Sequence, residues 1–321
     1  MKNFLKFIWS SLFSNETVLY GKNRKFYQAF IVLVISLVVA IAPILSVTLS
    51  SKGSDVLTSS TNSSLDVSLH LFSKYLSEDD NAHFFTTTDG TFEANGFKEK
   101  VITDSVGNHL LTIYAASNGE VLTDIVTKYT NGYVDENTKI SEKPKSFMLI
   151  SSEVVYIYTF SGDAKNEIKN GEVTKSATPS KTYLGYATEY KGVNFKDFYK
   201  NELGGDQYSL EQWTIALDKM YQPYKEASIL YNCSIHLILN VIIAFTMTLI
   251  IFILTKLKSN QCEKMTLAQS LKCVCFASLS PALVAWVLSL LVSALSSVGF
   301  ILCLGIRCVF LGSKATNINK L

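Results

Sequence analysis

The chain has 321 residues, 48% of them hydrophobic, and a formal net charge of only +2, which excludes a nucleic-acid binder that works through bulk positive charge. The charge is nevertheless split: residues 51–228 hold 17 Lys, no Arg and 25 of the 27 acids, whereas the flanks hold ten Lys and both Arg against Glu16 and Glu263. The flanking cations lie in or beside long apolar runs, a distribution that reads as a membrane protein with one large segment outside.

Ahead of the first run, Phe4, Leu5, Ile8, Trp9, Leu12 and Phe13 recur at helical spacing among Lys2, Asn3 and Lys6. Residues 1–25 are therefore expected to carry an amphipathic helix lying on the inner leaflet with Trp9 at headgroup depth, the alternative being a helix packed on the cytoplasmic ends of a bundle. Lys25 and Lys52 bracket 26 uncharged residues, against the roughly 20 that a bilayer core requires, so residues 26–50 form span 1. The 25 residues ahead of it and the lack of a small-x-small cleavage site after it favour an uncleaved anchor over a signal peptide, with Lys22, Arg24 and Lys25 on the cytoplasmic side.

Residues 51–228 are long enough to bury a core and predict an α+β domain outside the cell. A polar exit through Ser64 leads to a helix carrying Leu65, Leu69, Phe72 and Leu76, capped by Ser63 or Ser64. Alternating stretches at His109 to Ala115, Ser146 to Ile150 and Val154 to Phe160 predict strands of an antiparallel sheet, separated by turn residues at Asn118-Gly119, Asn131-Gly132, Ser161-Gly162 and Asn170-Gly171. Helical spacing returns from Phe195 to Lys200 and from Leu210 to Met220, and Pro223 is expected to break the chain before the next span.

Glu226 and Lys256 bracket 29 uncharged residues, giving span 2 at 229–255, and Lys256, Lys258 and Lys264 place the loop 256–267 inside. Lys272 and Arg307 bracket 34 more, about 51 Å as one helix. Two spans, 268–292 and 296–313, fit if Lys272 and Arg307 snorkel to one interface and Ser296-Ser297-Val298-Gly299 makes the turn. The tail 314–321 is then cytoplasmic; a three-span alternative would leave Arg307, Lys314 and Lys320 outside.

Residues 1–232 contain no cysteine, so a disulfide framework in the external segment is excluded and a bacterial plasma membrane is favoured. Cys262, Cys273 and Cys275 make a poor metal pattern, the acid pairs lack calcium-loop spacing, and no nucleophile elbow, phosphate loop or zinc histidine pair occurs. No catalytic, cofactor or metal residue is nominated. Two intramembrane features stand out: His236 and Asn240, four apart in span 2, and the small residues Ser278, Ala282, Ala285, Ser289 and Ser293 in span 3, which permit close packing within the chain or with a partner. Pro281 is placed to kink that span.

Phe4-Leu-Lys-Phe-Ile-Trp-Ser-Ser-Leu-Phe-Ser, Val121-Leu-Thr-Asp-Ile-Val-Thr-Lys-Tyr-Thr, Phe147-Met-Leu-Ile followed by Val155-Tyr-Ile-Tyr, and the apolar pair beginning at Leu271-Lys272 occur in an order that resembles Firmicutes multi-pass membrane proteins of unknown function. One member of that family lies among maltodextrin-utilisation genes. The resemblance implies an association with sugar uptake and supplies no site residues. The expected function is a non-enzymatic accessory, sensing or assembly factor for a membrane partner, with membrane lipid and a protein partner or second copy as contacts. A transport subunit and an envelope enzyme are the alternatives.

Overall fold

The structure, a computed structural model, describes residues 2–57, 65–117, 119–131, 143–169, 172–200, 205–257, 264–291 and 295–315. Their helices are α1 Lys2–Phe13, α2 Asn15–Tyr20, α3 Phe26–Ser50, α4 Leu65–Glu78, α5 Leu122–Thr130, α6 Gly205–Leu257, α7 Leu267–Ala277, α8 Leu279–Leu291 and α9 Leu295–Ala315. The strands are β1 His83–Thr86, β2 Phe92–Asn95, β3 Glu99–Thr103, β4 His109–Ala115, β5 Phe147–Ile150, β6 Val154–Thr159, β7 Glu167–Lys169, β8 Glu172–Lys175 and β9 Lys181–Tyr186. The chain divides into two compact units, Met1–Ser50 with Ser228–Leu321, and Ser51–Ala227.

The first unit is helical. Four helical stretches are long and apolar enough to cross a membrane: Phe26–Ser50, Asp206–Leu257, Leu267–Leu290 and Val298–Ala315. Its core joins Val32 and Ala40 of α3, Ala244 and Ile251 of α6, Phe276 of α7, Ala282 and Ala285 of α8, and Phe300, Leu304 and Cys308 of α9. The amphipathic α1 belongs to the same core through Phe7, with Phe4, Ile8 and Leu12 against it, while Leu5, Trp9 and Phe13 form an exposed stripe on another side. Bundle packing and an exposed apolar face thus coexist on one helix.

Two expectations need correction. Pro223 does not break the chain: it lies inside α6, which runs from Gly205 to Leu257. The predicted helix from Leu210 and span 2 are one element, because packing of Trp213 and Leu217 at one end and of Ala244 and Ile251 at the other outweighs the cost of a helix-interior proline, about 3 kcal/mol. The span expected at 268–292 is present as Leu267–Leu290, with a break at Ser278, three residues before Pro281. Ser296 to Gly299 are helical within α9 and make no turn.

In the second unit, five strands order as β3-β4-β5-β6-β9. The β4–β5 pair is parallel and its neighbours antiparallel, so the sheet is mixed and not antiparallel as expected. Burial explains this. Every residue of β5 is buried, with Met148 and Ile150 in the core that includes α4 and α6, and Phe147 and Leu149 in the core that includes α5. A strand covered on both faces reads as a continuous apolar run, and a parallel pair needs a crossover, which here includes α5.

The larger core stacks aromatics. Phe84 and Phe195 lie 4.2 Å apart between ring centroids, Phe195 and Trp213 5.1 Å. The Trp213 indole N–H reaches Leu69 O at 3.1 Å and Ser73 Oγ at 2.9 Å, and Tyr183 Oη donates to Leu217 O at 2.9 Å. Phe195–Phe198 is a short 3-10 turn where a helix was expected. The proposed cap at Ser63 or Ser64 and the turns at Asn118, Gly132 and Asn170-Gly171 lie outside the described residues.

Candidate functional site

The parallel pair β4 and β5 ends at Ala115 and Ile150. Two adjoining cavities lie there, of about 470 and 410 Å³, which share Ala116, Ser117, Ser151 and Ser152 in their linings. The first continues along Glu93, Asn95, Phe97 and Lys98, the second along Glu120, Glu153, Tyr156 and Tyr186.

A polar cluster lies between them. Lys98 Nζ donates to Ser117 Oγ at 2.6 Å and to both Glu120 carboxylate oxygens at 2.7 and 2.8 Å. Tyr114 Oη donates to Glu120 Oε1 at 3.1 Å and the Ser117 amide to Glu120 Oε2 at 2.8 Å. The turn Ser117 to Glu120 closes through Glu120 N–H to Ser117 O, with Gly119 at φ +91°, a conformation that side chains resist. Hydrogen bonding to Glu120 raises the Lys98 pKa, and the same bond lowers that of Glu120. Both groups are charged at neutral pH. A protonated Lys98 cannot take a proton from Ser117.

Sequence reasoning did not single out these residues. Lys98 directly precedes β3, Tyr114 is on β4 and Ser117 and Glu120 are on the loop after it; only the Asn118-Gly119 turn signal marked the place.

The residues singled out from sequence lie in the helical unit. Ser278, Ala282, Ala285 and Ser289 are all buried, and Ser278 Oγ lies 2.9 Å from Ser36 Oγ of α3. The small face is used inside the chain, and Ser293 lies outside the described residues. Asn240 is buried on α6 with its Oδ1 unpartnered, while His236 is half-buried. Trp9, Lys25 and Lys256 are exposed; Lys22, Arg24 and Lys272 are half-buried, and Lys258 lies outside the described residues. Among the described residues no three of His, Cys, Asp or Glu gather as a metal site.

The Arg307 guanidinium is held by four acceptors. Its Nη1 donates to Ala277 O at 2.9 Å and to Ser280 Oγ, its Nη2 to Ser11 O, and its Nε to Asn15 Oδ1 at 3.2 Å. Pro281 explains the arrangement: it has no N–H, so the carbonyl four residues earlier, Ala277, loses its helical donor at the α7–α8 break, and Arg307 supplies one.

Away from the groove, His109 on β4 contacts Thr112 Oγ1 at 2.8 Å, and burial with Lys145 nearby depresses its pKa to about 4. The unfolded chain therefore binds a proton that the folded one refuses, so stability is complete above about pH 6.5 and falls as the pH drops towards 4. The loss should approach about 2 kcal/mol, discounted for partial exposure. His109→Gln should flatten that part of the stability profile, measured by denaturant unfolding between pH 4 and 7.5.

Comparison with known protein families, curated proteins and solved structures returned no match.

Proposed function

We propose that this chain is a four-span plasma-membrane protein, both termini inside, whose external α+β segment between spans 1 and 2 recognises a small hydroxyl-rich solute on behalf of a membrane partner. The observation that carries the reading is the groove beyond β4 and β5. Its Ser117, Ser151, Ser152, Glu93, Asn95 and Glu153 supply donors and acceptors, and Tyr156 and Tyr186 line one end with aromatic rings. Such walls suit hydroxyls along ring edges and C–H faces over aromatic rings. The Lys98–Glu120 pair, charged and internally satisfied, favours binding over turnover.

The net positive flanks and the acidic centre support the orientation. The buried small-residue face and the Phe, Leu, Ala and Val core weigh against a transport path through the bundle. The resemblance noted above makes a sugar transporter the first partner to look for.

Titration of the purified full chain with maltotriose, and with a neutral tripeptide as the non-sugar probe, tests the groove. Saturable binding of the sugar alone, weakened about tenfold by Tyr156→Ala through loss of roughly 1.4 kcal/mol of ring contact, is the expected result. Equal binding of both probes, or none of either together with no transporter recovered by crosslinking in cells, would sink the reading. The orientation is checked separately by Ser152→Cys, which should react with an impermeant maleimide on intact cells.

A further inference from the structure

We infer that the groove continues onto the outer face of β6 and β9, and that its ligand is a linear neutral oligosaccharide that overruns the two cavities and lies across Tyr186, Tyr156 and Tyr158. The inference rests on the groove reading proposed above and adds the shape of what the groove takes.

Strand alternation sends Val155 and Ile157 of β6 and Tyr183 of β9 into the larger core. The intervening residues therefore share the opposite face. There the register sets Val154 opposite Tyr186, Tyr156 opposite Leu184 and Tyr158 opposite Thr182. Over β5 this face is sealed, because Phe147 and Leu149 are fully buried in the cluster that includes Tyr129 of α5. Over β6 and β9 the cover is incomplete: Tyr156, Tyr158, Leu184 and Tyr186 stay half-buried and Thr182 is exposed.

The aromatic row starts inside the groove and runs out of it. Tyr156 and Tyr186 line the second cavity. Tyr158 follows Tyr156 at 6.5 Å between ring centroids, with the two rings 25° from parallel. A stack on Phe147 at 4.9 Å and 12° holds the Tyr158 ring in place, so its orientation is set before a ligand arrives.

The chemistry of the face chooses the occupant. None of its residues on β6 and β9 is charged, so an ionic polymer finds no counter-charge there. A phenol offers an apolar ring with a hydroxyl at its rim, which matches the C–H surfaces and hydroxyl rims that alternate along a chain of sugar rings. A small solute would fill the cavities and leave Tyr158 unused, whereas a chain that emerges past Tyr156 meets Tyr158 next.

The test is calorimetric titration of the purified full chain with maltotriose and with maltohexaose. The longer sugar should bind roughly five- to tenfold more tightly, the gain from one further ring contact. Tyr158→Ala should abolish the difference between the two. Tyr158→Leu, which keeps an apolar contact with Phe147, takes its place if the alanine variant loses the native circular dichroism. Equal affinities of the wild type for both sugars overturn the inference and leave the groove reading standing. A difference that survives in a folded Tyr158 variant also overturns it, since it would come only from the extra registers that a longer chain offers. Tighter binding of a neutral proline-rich peptide than of maltohexaose would assign the face to a protein partner and overturn it as well. Binding of neither sugar would instead sink the groove reading beneath it.

Discussion

Trp213→Ala is expected to destabilise the Ser51–Ala227 unit by about 3–5 kcal/mol, the range for removing a buried Trp, and to lower its melting temperature by roughly 10 °C. Trp213 is 1% exposed, stacks on Phe195 and meets Phe198 edge-on at 5.2 Å, so its deletion opens the centre of the aromatic core. It also removes the donor that Leu69 O and Ser73 Oγ share. Trp213→Phe keeps most of the ring volume and should cost only about 1–3 kcal/mol, the penalty of a buried acceptor left unmet. Amide hydrogen exchange of β4, β5 and β6 in the intact chain reports both changes. Protection in Trp213→Ala equal to wild type would show that this cluster does not hold the sheet.

Arg307→Met should release the N-terminal helices from the bundle. Ser11 O and Ala277 O lose their donor and Asn15 loses its partner, a cost of about 2–6 kcal/mol at about 1–3 per unmet backbone carbonyl. Trypsin added to inverted membrane vesicles should then cut at Lys6 and Lys22 faster than in wild type. Pro281→Ala offers a sharper check, because it restores an N–H that can reach Ala277 O within a continuous α7–α8 helix. In that background the cost of Arg307→Met should fall by about 1–3 kcal/mol, one carbonyl's share. Strictly additive effects in the double variant would remove Pro281 from the account.

The proline and the arginine are 26 positions apart in the chain, and each alone has an ordinary reading, a kink and an interfacial cation. Their joint role depends on α9 passing the α7–α8 break. Lys98 and Glu120 behave alike: separate charges in the sequence, they pair because the β3–β4 hairpin returns the chain beside Lys98.

The chain by itself determined the features that depend on local composition. Lengths of uncharged residues and the placement of Lys and Arg located four apolar helical stretches, since the number of residues that cross a bilayer is set by a rise of about 1.5 Å per residue. The strand His109–Ala115 was legible residue for residue, and so was the face of α4, because alternation and the helical repeat are written in neighbouring positions. Tertiary structure alone decided the parallel pairing of β4 with β5, the passage of α6 through Pro223, the inward turn of Arg307 and the groove at Ser117. Each is a contact between distant segments whose free energy exceeds a local preference of a few kcal/mol, and such contacts leave no period in the sequence.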